Sequence, residues 1–171
     1  MATSSERREL ISKLDANRQK LMELAKGLDD DKLKSPNKEG DRSPKGMLMH
    51  LAQAERSYVF SWAKRARDEN SPDLKRDGAV GDSEAPLFNE ANPVSVEELI
   101  SSLEKARIAT LRFIAETGDE EFERVGRNTP FGDLTVHQFL KSLYRHDQMH
   151  IDEMIGMDSA YEVRTTDGRR L

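Results

Sequence analysis

His146 and His150 lie four residues apart in a segment of helical periodicity, and His50 flanks the apolar stripe of an earlier one. Residues i and i+4 of a helix project from one face with their β-carbons about 6 Å apart, so such a pair can offer two nitrogens to one ion. A third donor must come from another element, and His50 is the candidate. The chain has only four histidines among 171 residues, so three at such positions point to a metal site. Three neutral imidazoles suit Zn²⁺, Ni²⁺, Fe²⁺ or Co²⁺ and leave coordination open to substrate or water, the pattern of catalytic rather than structural sites. Taken singly, each histidine also reads as a hydrogen-bonded core or boundary residue. His137 lies in the first turn of its helix, away from Leu140 and Leu143, and reads as exposed.

Four segments with few breakers must position these side chains, near 5–28, 44–69, 95–116 and 135–157. The first shows Leu10, Leu14, Leu21, Leu24 and Leu28 on one side. The second opens with Ser43 as N-cap and Pro44 at the first helical position, then presents Met47, Leu51, Ala54, Tyr58 and Trp62. The third is capped by Ser95 and shows Val96, Leu99, Ile100, Leu103 and Ile114. The fourth begins at Thr135 and shows Val136, Phe139, Leu140, Leu143 and Met154. Acidic pieces at 29–33 and 119–122 follow the first and third helices, which hints at a weak internal duplication. Residues 126–134 read as a turn or hairpin and 158–171 as a polar tail, leaving 1–157 as one domain.

The connection from about 70 to 94 is long for a compact domain, and extended chain can carry it from one end of a bundle to the other. The second and third helices then run parallel, giving an all-α four-helix bundle of up-down-down-up order with a long crossover. His50 lies seven residues after Ser43, and His150 and His146 lie seven and eleven before Met157. At ~1.5 Å per residue, antiparallel second and fourth helices bring all three histidines roughly 10–16 Å from one end of the bundle. In a simple up-down-up-down bundle the levels differ by about 12 Å. The crossover and the metal site therefore support each other.

Other polar residues fall on inward positions: Asn17 between Leu14 and Leu21, Arg107 beyond Leu103, and Asp147 beyond Leu143. Each is costly in a dry core without a partner. A functional reading makes Asp147 a catalytic proton acceptor, or a hydrogen-bond acceptor behind a ligand; Arg107 becomes an anion anchor and Asn17 a polar contact for a bound cofactor or substrate. The plainer reading carries them to the bundle edge by helix rotation, where Arg107 snorkels. Glu55 and Glu153 read as solvated.

Composition narrows the rest. Net charge is −5 with basic and acidic residues interspersed, which gives no field for nucleic acid. There is no cysteine, which excludes disulfides, thiolate-bound zinc and a thiol nucleophile from the chain itself. With 35 % charged residues, no apolar run long enough to span a bilayer and no signal-peptide pattern, the expectation is a cytoplasmic protein away from membranes. His146-Asp147-Gln148-Met149-His150 resembles the zincin HExxH pattern with the shorter Asp in place of the Glu base, but no downstream histidine or glutamate helix supplies the third ligand.

Ser43-Pro44 followed by Met47 through Glu55, and Leu134-Thr135 followed by Arg145 through His150, resemble the DinB-like metal-binding four-helix bundle family over roughly residues 5–157. The family's single histidine early in helix 2 and its H-x-x-x-H pair in helix 4 carry over to His50, His146 and His150. Met149 departs from the commoner H-x-x-H-H form and leaves three ligands. The resemblance implies zinc or nickel, frequently a homodimer, and in characterised relatives transferases and isomerases that use low-molecular-weight thiols. The expected function is a metal-dependent transferase acting with a small thiol, or a hydrolase activating water. The alternatives are a non-catalytic metal-binding or stress-response protein, and a bundle that binds no metal.

Overall fold

The computed structural model describes residues 4–38, 42–74, 94–161 and 166. Helix α1, Ser4–Gly27, buries Leu10, Leu14, Leu21 and Ala25 together with Arg18. Its inward stripe thus runs through Arg18 and Ala25, with Leu24 only partly buried against the core. A short helix α2, Asp30–Lys34, is capped by Asp29, whose carboxylate accepts from Lys32 N at 2.9 Å, and buries Leu33.

Ser43 caps α3, Pro44–Arg56, by accepting from Gly46 N at 3.2 Å, and Pro44 occupies the first turn, as the sequence suggests. The helical run continues through a π-helical stretch, Ser57–Ala63, into α4, Lys64–Asp68. Helix α5, Val96–Glu116, and helix α6, Val136–Met154, each begin with a capping box. Ser95 and Glu98 form the first and Thr135 and Gln138 the second. Helix α6 ends at Met154, three residues short of the expected boundary, beside Gly156 at φ +75°.

Between α5 and α6 lie a 3₁₀ turn, Glu121–Glu123, and an antiparallel hairpin of β1, Val125–Thr129, and β2, Gly132–Thr135. The chain leaving α4 is held along this hairpin, with Arg127 N donating to Pro72 O at 2.9 Å and Leu74 N donating to Arg127 O at 2.7 Å. Gly126 permits the approach, because a β-carbon there would fall 2.3 Å from Leu74 Cδ1. Most of the expected crossover, 75–93, lies outside the described residues, as does most of the tail beyond 161.

Side-chain contacts set the helix directions. Asn17 and Arg18 meet Tyr144 and Asp147, while Leu21 and Ala25 pack with Ile151 and Met154, so α1 and α6 are parallel. Arg7 reaches Ile114 O and Arg18 reaches Leu103 O, so α5 runs the other way. Early α3 packs with Leu99 and Leu103, and Val59 and Trp62 beyond it pack with Phe113, which makes α3 parallel to α5. The order is up-down-down-up, as the sequence analysis expects. None of the described helices is long and apolar enough to cross a membrane.

The core is divided. One apolar cluster holds Leu10, Leu14, Trp62, Phe113, Phe139 and Leu143; the other holds Leu21, Leu48, Leu51, Leu103 and Ile151. Between them each long helix contributes one charged side chain: Arg18 from α1, Glu55 from α3, Arg107 from α5 and Asp147 from α6.

Candidate metal centre

Antiparallel α3 and α6 bring the three expected histidines together. His146 Nε2 lies 3.1 Å from His50 Nε2 and 3.1 Å from His150 Nε2. The candidate donor atoms of all three residues lie within 4.8 Å of one another. Among the described residues this is the one cluster of three or more histidine or carboxylate donors so arranged. Two imidazoles bound to zinc at about 2.0–2.1 Å with a tetrahedral angle are about 3.4 Å apart. The observed separations fit one ion with little adjustment.

The protonation pattern favours ligation. His150 Nδ1 lies 2.6 Å from Glu153 Oε2, so it donates to the carboxylate and turns a lone pair on Nε2 toward the other two rings. Burial, reinforced by the neighbouring His150 and His50 and by Arg42 and Arg18, pushes His146 well below the usual histidine range and keeps it neutral. Imidazole nitrogens converging from three rings suit a borderline-soft divalent cation.

Glu153, expected to be solvated, is partly exposed and bonds through its carboxylate to His150 Nδ1. Its i,i+3 spacing from His150 could have signalled this, because such residues share a helix face. His137 is half-buried rather than exposed, with its ring edge-on to Phe122, and burial lowers its pKa.

The other expected site residues spend their polar groups on the protein itself. Asp147 Oδ1 accepts from Arg18 Nη2 at 2.8 Å, and Oδ2 accepts from Arg18 Nε at 3.1 Å and Arg107 Nη2 at 3.0 Å. Both oxygens are thus committed to guanidiniums, which leaves the expected proton acceptor serving as a buried ion-pair partner. Arg107 donates to Glu55 Oε1 at 2.9 Å and Oε2 at 3.3 Å, to Asp147, and to Leu14 O. With every guanidinium nitrogen spent on the protein, it is not an anion anchor. Asn17 Nδ2 donates to Tyr144 O at 2.7 Å, tying α1 to α6 rather than facing a ligand.

Two members of the charged layer escaped the sequence reading. Arg18 donates to Leu103 O at 3.1 Å and to Glu55 Oε2 at 2.6 Å. Glu55, read as solvated, is only 2 % exposed and also accepts from Thr110 Oγ1 at 2.6 Å. Burial alone would push its carboxyl up; Arg18 and Arg107 more than reverse this and hold it below the ordinary range. Burial would likewise lower Arg18, and the two carboxylates raise it instead.

No curated protein matches the sequence. Among solved structures, YfiT from Bacillus subtilis, described as a probable metal-dependent hydrolase with an unusual four-helix bundle topology, aligns with a TM-score of 0.76 at 16 % identity. The alignment covers 91 % of this chain and 87 % of that one. TT2238, described as a four-helix bundle protein, aligns at 0.64 with 23 % identity over 88 % of this chain and 98 % of that one. A mutant of the mycothiol-dependent maleylpyruvate isomerase aligns at 0.70 with 9 % identity, covering 86 % of this chain and 60 % of the isomerase. At these identities the likeness is one of fold. Family membership rests on the sequence, which matches the DinB superfamily over residues 13–154; the chain belongs to that superfamily.

Proposed function

We propose that His50, His146 and His150 hold a divalent cation, zinc or nickel, and that the protein is a metal-dependent transferase acting with a low-molecular-weight thiol. The observation that carries this reading is the convergence of three imidazole nitrogens on one point, with His150 oriented from behind by Glu153. When bound, such a cation supplies Lewis acidity, which lowers the pKa of a small thiol and polarises an electrophile. The chain's own part is to keep His146 neutral, to fix the His150 tautomer through Glu153, and to hold α3 against α6 through the charged layer. The absence of cysteine from the chain agrees with a thiol brought by a cosubstrate.

A second reading, hydrolysis with water as nucleophile, uses the same residues. It is favoured by the likeness to YfiT, which is itself described as a probable metal-dependent hydrolase. Elemental analysis of protein purified without chelators is expected to find about one divalent ion per chain, lost in His50→Ala and His146→Ala. Wild type without metal would sink both readings. Loaded protein is then screened for transfer with several small thiols and for hydrolysis; neither activity would move the assignment to a non-catalytic metal-binding protein.

A further inference from the structure

Gln53 Oε1 is, among the described residues, the one buried side-chain nitrogen or oxygen without a hydrogen-bond partner. A carbonyl oxygen in that state has lost its hydration without replacement, and such atoms are rare enough in folded proteins to call for a cause. Its position supplies one. Gln53 lies three residues beyond His50 on α3, so the two share a helix flank about 4.5 Å apart along the axis. Because α3 and α6 are antiparallel, that displacement carries it from the His150 level toward the His146 level. The neighbouring polar layer does not use it, since Glu55, Arg18, Arg107, Thr110 and Asp147 satisfy one another.

We propose that Gln53 Oε1 accepts a hydrogen bond from an O–H or N–H group of the small molecule seated at the histidine triad. The site then selects thiols that carry a hydroxyl or amide donor over plain alkyl thiols of the same size. This rests on the metal and thiol reading above and adds the chemical feature by which the thiol is chosen. An amide oxygen is suited to the task because it accepts without carrying a charge into a half-buried position.

The test uses cobalt-loaded protein and two near-isosteric probes, 2-mercaptoethanol and 1-propanethiol, titrated through the near-ultraviolet thiolate-to-cobalt absorption. The readout is the ratio of the two dissociation constants, compared between wild type and Gln53→Leu. The preference for the hydroxyl-bearing thiol is expected to fall about three- to tenfold in the variant, the range of one net hydrogen bond. Gln53→Glu, which keeps an oxygen acceptor, is expected to retain the preference, and Gln53→Met replaces the leucine variant should that one fail to fold. A ratio unchanged by the loss of the amide, with cobalt still held, overturns the assignment of Gln53 and leaves the metal reading standing. A wild type that holds no cobalt overturns both, and one that holds cobalt but binds neither thiol overturns the thiol reading together with this proposal.

Discussion

Replacing Arg107 with methionine tests the charged layer most directly. The layer is formally neutral, with two arginines against two carboxylates, and all four side chains are nearly inaccessible. Arg107→Met keeps an unbranched apolar stem but removes the donors to both Glu55 oxygens, to Asp147 Oδ2 and to Leu14 O. What remains is one guanidinium against two carboxylates, a net negative charge enclosed between two apolar clusters. Breaking a buried ion pair on one side costs about 3–5 kcal/mol. At about 2–4 °C per kcal/mol for a chain of this size, Tm should fall by roughly 6–20 °C. The measurement is thermal and urea unfolding followed by circular dichroism, with chelator present so that metal binding does not add stability to the folded state. The double variant Arg107→Met with Glu55→Met restores neutrality and leaves the two-point Arg18–Asp147 pair intact, so it should recover most of the loss. A single-variant shift below about 3 °C, or a double variant as unstable as the sum of its parts, would refute the reasoning.

The Glu55 carboxyl is held below its ordinary range, so the folded state binds fewer protons than the unfolded one. Its contribution is present above the unfolded value of about 4.3 and is lost as pH falls through the lower folded value. The urea midpoint should therefore drop more steeply below pH 4 in wild type than in Glu55→Gln; equal slopes would count against the assignment. Glu153→Ala frees His150 Nδ1 and should weaken metal binding about 10–100-fold while leaving the unfolding of metal-free protein nearly unchanged, as competitive chelator titration would report. Gly126→Ala drives a β-carbon to 2.3 Å from Leu74 Cδ1, and should cost about 1–3 kcal/mol in urea unfolding. An unaltered midpoint there would mean that Leu74 can move aside.

The local elements are legible in the amino-acid sequence, because each is governed by neighbours within a few residues. Ser43, Ser95 and Thr135 cap the helices where their side chains can reach backbone amides two or three residues on. The i,i+4 spacing of His146 and His150 guaranteed a shared face once α6 formed. At ~1.5 Å per residue His50 falls at the height of that pair, and its Nε2 does lie beside that of His146. The standing of the charged residues, by contrast, depends on packing between helices. Periodicity alone could not separate Asn17 from Arg18, one residue and about 100° apart on α1, and the burial of Arg18 follows from acceptors that arrive from α3, α5 and α6. Glu55 looked solvated because a lone carboxylate would be, and Arg107 and Asp147 looked available for chemistry because their partners were unseen. A charge tolerates burial only when opposite charges and hydrogen-bond donors or acceptors surround it. Those partners here come from three other helices, up to 129 positions away along the chain, so no window of local sequence contains the answer.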